Sequence, residues 1–368
     1  YNDLKILRKK LTFKDLRPEL NVLRDRLYVS MFDPEKVVSY DNIIGPLLKT
    51  RAILIQKYNS LYLKQLDDLI DKVNIFKTHF ATLDIRQDHS KHRQVVETVL
   101  KFNGDINESL DELTEDELIN LLLNEDLKLD AKDYTDEIVK DTIANISQLK
   151  EIQNKNGEEG CNRYIISNSE NIFSVLFVYG LFRWCGWDRD NITFDIVPLF
   201  ETMKGMDTAE ATMQSLFDIP DYSSHLEQRG NKQTMMLGFS DGTKDGGYLK
   251  ANWSILKTKE VLSKVCFNNG IDAIFFDGRG GPPARGGGKT HRFYAAQTKD
   301  IANNEIQLTI QGQTITSTYG TMEEFMHYSE QLLTAGLSNN LFGKENPISK
   351  ESRELMEELS DLSFAKYN

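Results

Sequence analysis

The N-terminal part of the chain has the hydrophobic pattern of helices. Between residues 21 and 76, apolar side chains recur at spacings of three to five, with Lys and Asp between them, so they share one face of a helix. They include Leu54, Tyr58, Leu61, Leu66 and Leu69. Because proline favours helix ends, Asp33-Pro34 and Gly45-Pro46 predict breaks between successive helices.

Residues 105–141 form a second helical pattern, which is acidic and rich in leucine. Asp and Glu occupy the positions between the leucines. These leucines include Leu110, Leu113, Leu118, Leu121 and Leu122. We interpret the block as helices with one solvated face rather than as an acidic interaction tail, because the leucines follow a helical spacing.

Short apolar runs of strand length lie between helical patterns, and each run ends in a polar or charged group. The runs are residues 80–86, 164–169, 192–201, 235–241 and 273–279. Helical patterns such as 210–217 and 254–266 separate them. Alternating strands and helices predict a parallel sheet, and polar groups at the carboxyl ends of buried strands are typical of a (β/α) barrel.

The pattern therefore predicts an α/β fold, namely a helix-rich, incomplete (β/α)8 TIM-type barrel with additional helical segments. A sixth run at 305–312 alternates apolar and polar residues and is either a later barrel strand or part of a hairpin. We divide the chain into a helical segment at 1–76, a partial barrel at 77–335 and a C-terminal helical segment at 336–368. The acidic block 105–141 is a helical insertion in the barrel.

The net charge limits the binding partners of the chain, and its few cysteines limit the kinds of disulfide or metal site that it can form. The chain has 44 Lys and Arg against 56 Asp and Glu, a net charge of −12, which repels nucleic acid and anionic membranes. A bound anion therefore needs a local basic pocket. The three cysteines, at 161, 185 and 266, are too scattered for a disulfide framework or a Cys-x-x-Cys site. We expect buried thiols in the reducing cytoplasm.

Targeting signals are not evident in the sequence. The longest apolar stretch, residues 172–182, is shorter than the roughly 20 residues that span a bilayer, and no basic region precedes an apolar run at the start. The chain begins with Tyr rather than Met. We therefore expect that an upstream segment has been removed or was never included.

The strongest local signal is the loop at 275–289, which contains six glycines together with Arg279, Arg285 and Lys289. Glycines let backbone amides approach an anion, and guanidinium groups bind phosphate or carboxylate bidentately. We interpret it as a mobile anion-binding loop. The alternatives are a plain turn, which seldom needs two arginines, and an Arg-Gly-Gly RNA-binding tail, which is usually repeated rather than fused to a core strand.

A second signal is the segment 237–247, where Asp241, Lys244 and Asp245 are predicted to lie in a glycine-containing turn after a strand. Glu201 occupies the equivalent place at the end of another strand. Singly, each acid is a helix cap or surface group. Two carboxylates at neighbouring strand ends, however, suit Mg²⁺ or Mn²⁺, with water and substrate oxygens completing the coordination.

A third strand end places Arg86 where it can meet an anion. Asp88, His89 and His92 follow it, but we favour helix capping by Asp88 or Ser90 over metal binding.

Several of these segments resemble the phosphoenolpyruvate carboxylase family. The matching motifs are LDIRQ at 83–87, VPLFET at 197–202, GFSDGTKDGG at 238–247 and GRGG-x-x-x-RGGG at 278–288. The correspondence runs from about residue 48 to the end, and the last two motifs are specific. The family joins bicarbonate to phosphoenolpyruvate, forming oxaloacetate and phosphate through carboxyphosphate and an enolate, as an anaplerotic lyase of the cytoplasm that feeds the tricarboxylic acid cycle.

The resemblance implies roles for six residues. Glu201 and Asp241 would bind Mg²⁺ or Mn²⁺. Arg86 and Arg279 would hold phosphate or carboxylate groups of phosphoenolpyruvate. Lys244 would help bind bicarbonate or orient the reacting groups, and Arg285 would bind substrate and stabilise the carboxyphosphate stage. The full-length protein would be a homo-oligomer.

The sequence departs from the family within the glycine-rich loop and in lacking one motif. Asp277 stands where the family commonly has His, and we expect it either to weaken the local positive potential or to pair with Arg279. Residues 282–284 are Pro-Pro-Ala and should stiffen the loop. The family's Thr-Ala-His-Pro-Thr motif, which bears its catalytic histidine, does not occur in these 368 residues. We therefore expect the chain by itself to be inactive or nearly so.

Two other functions remain open from the residues alone. One is a non-catalytic module that binds phosphorylated ligands. The other is a different Mg²⁺-dependent barrel enzyme acting on pyruvate or phosphoenolpyruvate, such as an aldolase or a phosphotransferase.

Overall fold

A computed structural model describes residues 1–280, 287–302, 304–342 and 348–367. Arg285 and the Pro-Pro-Ala segment at 282–284 lie outside the described residues. The helices are α1 Asn2–Lys10, α2 Arg17–Ser30, α3 Tyr40–Lys57, α4 Leu63–Phe76, α5 His89–Asn103, α6 Glu115–Asn124, α7 Glu137–Asn156, α8 Phe173–Trp184, α9 Met203–Phe217, α10 Pro220–Gln228, α11 Phe239–Asn268, α12 Thr290–Ala295, α13 Gly312–Tyr319, α14 Met322–Phe342 and α15 Lys350–Tyr367. The strands are β1 Asp84–Asp88, β2 Arg163–Ser167, β3 Asp195–Phe200, β4 Lys232–Leu237, β5 Asp272–Gly280 and β6 Ile306–Ile310.

The chain divides into two compact units. The first comprises Tyr1–Asp84 and Gln148–Asn162, and the second comprises Ile85–Ser147 and Arg163–Asn368. In the first unit, helices α1 to α4 pack around an apolar cluster that includes Leu54 and Leu66. The helical pattern is therefore confirmed for most of this part of the sequence, but Leu61 lies between α3 and α4 and is 50% exposed.

The predicted break at Gly45-Pro46 is wrong, because both residues lie inside α3. Proline removes one backbone N–H from the helix ladder and usually ends or kinks a helix. Here Ile44, Leu47 and Leu54 are buried on one face of the same helix, and their burial offsets the missing hydrogen bond. The break at Asp33-Pro34 is confirmed, since it lies between α2 and α3.

The second unit is built on a parallel sheet. Its six described strands follow one another in chain order from β1 to β6, and every pairing from β2 to β6 is parallel. Helices lie between consecutive strands, as the alternating pattern predicts. The unit is thus a helix-rich α/β fold with a curled six-stranded parallel half-barrel. Because β6 pairs in parallel with β5, it is a further strand of this sheet and not half of a hairpin.

The apolar run at 172–182 forms most of α8, a helix that is buried along nearly its whole length. Within the described ranges, no helix is long and apolar enough to cross a membrane. Of the three cysteines, Cys161 and Cys266 are buried, as expected, but Cys185 is only partly so. Burial raises the pKa of the Cys185 and Cys266 thiols to about 12, so both are unreactive as thiolates.

Two acidic residues of the block 105–141 cap the starts of helices. Ser109 with Glu112, and Thr114 with Glu117, form reciprocal capping boxes, which satisfy backbone N–H groups at helix starts. The leucines that follow Thr114 face inward, with Leu122 fully buried. Over Glu115–Asn124 the block is therefore a helix with a solvated acidic face, as its spacing predicts, whereas residues 125–130 are not helical.

Candidate active site

Strands β3 and β4 end at the same level of the sheet. Phe200 of β3 is paired with Leu237 of β4, and Leu237 is paired with Asp277 of β5, which continues beyond that level to Gly280. Strands β3 and β4 therefore deliver their next residues to one edge, with adjacent strands about 4.8 Å apart. The next residue of β3 is Glu201, and that of β4 is Gly238.

Glu201 is buried, with 6% of its surface exposed. Its Oε1 accepts a hydrogen bond of 3.0 Å from the backbone N–H of Asn168, and its Oε2 lies 3.6 Å from Nη2 of Arg86. Burial raises the pKa of Glu201, against the opposing effects of Asn168 and Arg86. A desolvated carboxylate of this kind gains from a nearby cation.

Gly238 lets the end of β4 approach Glu201. A Cβ atom built on Gly238 would lie 2.3 Å from the Cβ of Glu201, a distance that forces one of the two chain segments to move. The Gly238 N–H donates to the backbone carbonyl of Phe200 at 3.0 Å, which fixes this close approach. Glycine is therefore required here for packing against the candidate metal ligand.

Asp241 lies in the first turn of α11 and not in an open turn, which corrects the prediction for 237–247. The helix begins at Phe239 and continues to a kink at Gly247, where φ is 74° and ψ is 165°. Lys244 lies one turn after Asp241 and its Nζ donates to Asp241 Oδ1 at 2.6 Å. This hydrogen bond lowers the pKa of the Asp241 carboxyl.

Asp245, the third charged residue of the segment 237–247, bonds to the backbone that follows Glu201. Its Oδ2 accepts a hydrogen bond of 2.7 Å from the backbone N–H of Met203, at the start of α9. It thereby joins α11 to the chain that follows Glu201 and does not face the two carboxylates as a third ligand.

The carboxyl groups of Glu201 and Asp241 influence each other: Asp241 acts to raise the pKa of Glu201, and Glu201 acts to lower the pKa of Asp241. Two carboxylates that interact in this way repel each other when both are ionised, and a bound cation relieves the repulsion. Among the described residues, no cluster of three or more His, Cys, Asp or Glu side chains is arranged to hold a metal. Glu201 and Asp241 are hard oxygen donors, the kind of ligand that Mg²⁺ or Mn²⁺ prefers, and could hold such an ion together with water or substrate oxygens.

Arg279 is the buried cation at the end of β5, with 7% of its surface exposed. Its guanidinium carbon lies 4.4 Å from the ring centroid of Phe293 and 5.7 Å from that of Phe239. Among the described residues, its Nε and Nη1 atoms have no hydrogen-bond partner. Burial lowers the pKa of this guanidinium. Unpaired donors on a buried cation are suited to an anionic ligand.

Of the two expected roles of Asp277, direct pairing with Arg279 is wrong. Asp277 accepts hydrogen bonds at Oδ2 from Lys259 at 2.8 Å and from Tyr294 at 2.7 Å. Its direct ion-pair partner is therefore Lys259 rather than Arg279. Sequence reasoning did not find Lys259, because Lys257 and Lys264 lie in the same helical pattern at 254–266 and nothing local marks the buried lysine.

At the third strand end, Asp88 caps α5 through a hydrogen bond of 2.8 Å from the backbone N–H of Ser90, as predicted. His92 is buried and bonded to the Tyr164 hydroxyl at 2.9 Å, so it serves the core. The structure thus brings Arg86, Glu201, Asp241 and Lys244 into one chain of contacts.

Comparison with known proteins gives a consistent result. A family model described as phosphoenolpyruvate carboxylase matches residues 4–368. Phosphoenolpyruvate carboxylase from Nitrosomonas eutropha is 32% identical over 86% of this chain, which corresponds to 35% of that protein. The enzymes of Paraburkholderia xenovorans and Thermosynechococcus vestitus are 31% and 32% identical over 82% and 88% of this chain. The chain spans about a third of the length of these curated relatives.

Proposed function

Because this chain belongs to the phosphoenolpyruvate carboxylase family, we propose that it supplies the metal and substrate site of an enzyme that carboxylates phosphoenolpyruvate. The reaction joins phosphoenolpyruvate and bicarbonate and yields oxaloacetate and phosphate. The observation that carries the proposal is that Glu201 with Arg86 and Asp241 with Lys244 lie beside the ends of β3 and β4, on the same sheet edge as the buried Arg279, whose Nε and Nη1 have no partner among the described residues.

Glu201 and Asp241 are the proposed ligands of Mg²⁺ or Mn²⁺. The ion, when bound, would neutralise negative charge on phosphate and enolate oxygens as it accumulates. The raised pKa of Glu201 supports this role, because a carboxylate that is costly to ionise in the empty site is stabilised by a cation.

The proposed substrate-binding groups are the arginines. Arg279 offers Nε and Nη1 from a buried position, where its attraction for a phosphate or carboxylate is weakly screened. Arg86 is half exposed and close to Glu201, so its remaining donors can serve the same anion. Arg285 is proposed to bind substrate and to stabilise the carboxyphosphate stage, although it lies outside the described residues.

Lys244 is proposed to orient bicarbonate. Its side chain is 71% exposed and its ammonium group is held by Asp241, so it can exchange part of this contact for a small anion. In many enzymes, charge stabilisation by groups that are fixed before the reaction starts provides most of the rate enhancement.

The wider proposals follow from the family and the sheet. We propose that β1 to β6 belong to a TIM-type (β/α)8 barrel within 77–335, flanked by helical segments at 1–76 and 336–368. The full protein is proposed to act in the cytoplasm as a homo-oligomer and to replenish the tricarboxylic acid cycle. The isolated chain, which lacks the Thr-Ala-His-Pro-Thr motif, is proposed to have little or no turnover.

The test is turnover by the full protein that carries this sequence. Phosphoenolpyruvate, bicarbonate and Mn²⁺ are supplied, and oxaloacetate is followed through malate formation. We expect metal-dependent turnover that is lost in a Glu201→Gln/Asp241→Asn variant. Binding of phosphoenolpyruvate without turnover would indicate a phospholigand-binding module instead. Metal-dependent turnover by residues 1–368 alone would refute the proposed inactivity of the isolated chain.

A further inference from the structure

An ion pair is sealed beneath the end of β5. Lys259 of α11 and Asp277 of β5 have side-chain exposures of 1% and 0%, and their Nζ and Oδ2 atoms are 2.8 Å apart. The hydroxyl of Tyr294 on α12 donates to the same Oδ2 at 2.7 Å. Three elements of the fold therefore meet at one carboxylate oxygen.

Aromatic rings surround the cation of this pair. Lys259 Nζ lies 5.0 Å from the ring centroids of both Phe275 and Phe293, and 5.6 Å from that of Tyr294. Burial lowers the pKa of Lys259, while Asp277 opposes that effect. Replacing a buried ion pair with apolar residues is often neutral or stabilising. Stability alone therefore gives a weak reason for placing charge here.

The same aromatic helix contacts Arg279. The guanidinium of Arg279 stacks on Phe293 at 4.4 Å, and Phe293 also faces the ammonium of Lys259. The next residue, Tyr294, is tied to Asp277, which lies two residues before Arg279 on β5. Lys259 and the two aromatic residues of α12 therefore link Asp277 to Arg279, both of which lie on β5.

Asp277 and Arg279 have opposite charges but do not pair. Asp277 Oδ1 and Arg279 Nε and Nη1 all lack hydrogen-bond partners among the described residues. The carboxylate is instead engaged through Oδ2 by Lys259 and Tyr294. The charge of Asp277 is thus balanced by Lys259, and in the described part of the chain Nε and Nη1 of Arg279 stay without a partner.

We propose that Lys259 and Tyr294 are positioning residues for Arg279. By engaging Asp277 and seating Phe293, they prevent Asp277 from neutralising Arg279 and hold the guanidinium ready for an anionic group of the substrate. The identity of that anion as phosphoenolpyruvate depends on the function proposed above. The positioning itself depends only on the contacts around Asp277.

The test uses Tyr294→Phe in the full protein, with Tyr222→Phe as the matched control. Tyr222 is fully buried and its hydroxyl donates at 2.7 Å to Gln233, near the opposite end of the sheet. We expect Tyr294→Phe to raise the KM for phosphoenolpyruvate about tenfold, the effect of losing one hydrogen bond to a charged group, and to leave Mn²⁺ affinity unchanged. Tyr222→Phe should leave both values at the level of the parent protein.

A purely structural role would give a different pattern. If both variants lower the melting temperature and neither changes the KM, the positioning proposal is overturned. If Tyr294→Phe does not fold, Lys259→Gln takes its place, because it removes the cation, leaves Asp277 ionised and keeps a hydrogen-bond donor beside it. This variant should bind phosphoenolpyruvate several-fold more weakly, since Asp277 is then free to neutralise Arg279; affinity equal to that of the parent protein would refute the proposal.

Calorimetric titration with inorganic phosphate separates this inference from the proposed function. If the parent protein binds phosphate but does not turn over phosphoenolpyruvate, the proposed function fails, and the phosphate affinity of Tyr294→Phe still decides the inference. If the parent protein turns over and Tyr294→Phe matches it in KM and phosphate affinity, the function stands and the inference fails.

Discussion

Two lysine–carboxylate pairs near the ends of adjacent strands differ chiefly in their access to solvent. In the Lys244–Asp241 pair, the side chains are 71% and 48% exposed, whereas in the Lys259–Asp277 pair they are 1% and 0% exposed. The separations are similar, at 2.6 Å and 2.8 Å. The exposed Lys244–Asp241 pair, called the open pair below, can exchange one partner for a metal ion or an anion. The buried Lys259–Asp277 pair, called the sealed pair below, has no such access.

Under the proposed function, the difference separates charges that meet metal and substrate from charges that support them. An exposed pair contributes little to stability, since water solvates its members when they separate. A sealed pair cannot be opened without leaving a charge in an apolar environment, so its members hold neighbouring elements in place. Both are needed if Arg279 is to meet an anion next to a metal held by Glu201 and Asp241.

The largest effect is expected from breaking the sealed pair. Lys259→Met should lower the free energy of unfolding by about 3–5 kcal/mol, because Asp277 is left buried without its cation. The matched change in the open pair, Lys244→Met, should cost less than about 1 kcal/mol. Urea unfolding of the full protein measures both. Equal losses in the two variants would remove the distinction between the pairs.

The next effect concerns the open site. Glu201→Gln should weaken Mn²⁺ binding by about 100-fold or more, since loss of a direct ligand should exceed the roughly 10–100-fold effect of losing an outer-shell partner. Electron paramagnetic resonance of free Mn²⁺ gives the affinity. Glu260→Gln is the control, because Glu260 is similarly shielded but pairs with Arg353. A control variant that loses metal affinity to the same extent would contradict the assignment.

A smaller effect is expected from adding a methyl group next to Glu201, the proposed metal ligand. Gly238→Ala places a methyl group against Glu201 and should weaken Mn²⁺ binding about tenfold, as a displaced ligand loses its geometry. Gly45→Ala is the comparison, since nothing lies within 4 Å of a Cβ at that position inside α3. It should leave metal binding unchanged. Normal affinity in Gly238→Ala would show that the site tolerates displacement of Glu201.

The smallest effect comes from an ion cluster of intermediate exposure, centred on Glu357 of α15. Partial burial acts to raise the pKa of Glu357, but hydrogen bonds from Lys257 and Trp253 outweigh it and hold the pKa at about 2. Because the folded-state pKa lies below the ordinary value, the stabilisation is full above pH about 4.5 and is lost as the pH falls toward about 2.

Solvent screening keeps this contribution small, because the Glu357 side chain is 39% exposed. We expect α15 to dock less firmly on α11 in acid, which hydrogen exchange of α15 measures at about pH 5 and about pH 3, on either side of the ordinary carboxyl pKa. Glu357→Gln should abolish the difference between the two pH values. Persistence of the difference in that variant would assign it to other groups.

The strand ends were predictable from the sequence because a local rule governs them. A buried strand needs an apolar run, and the first charged residue after the run lies at the sheet edge, as Glu201 does. The helix start at Phe239 was harder to predict from the sequence. Glycines around Asp241 favour a turn locally, while packing of α11 against β5 and α9 favours a helix. Pro46 inside α3 is another case in which tertiary packing overrides a local preference.

The sealed pair could not be predicted for a different reason. Lys259 and Asp277 are 18 residues apart and meet only when α11 packs against β5. Neither residue has a local pattern that identifies the other. Because Asp277 and Arg279 are close in the sequence, a pair between them was one of the expected roles of Asp277. The sequence does not show that a buried lysine already engages this carboxylate.

The most direct test of the account is a crystal structure of the full protein with Mn²⁺ and an unreactive phosphoenolpyruvate analogue. We expect an anomalous peak for Mn²⁺ between Glu201 and Asp241, with the phosphate or carboxylate of the analogue bound to Arg279 and Arg86. An Mn²⁺ ion held by other residues, or an analogue bound away from both arginines, would contradict the account.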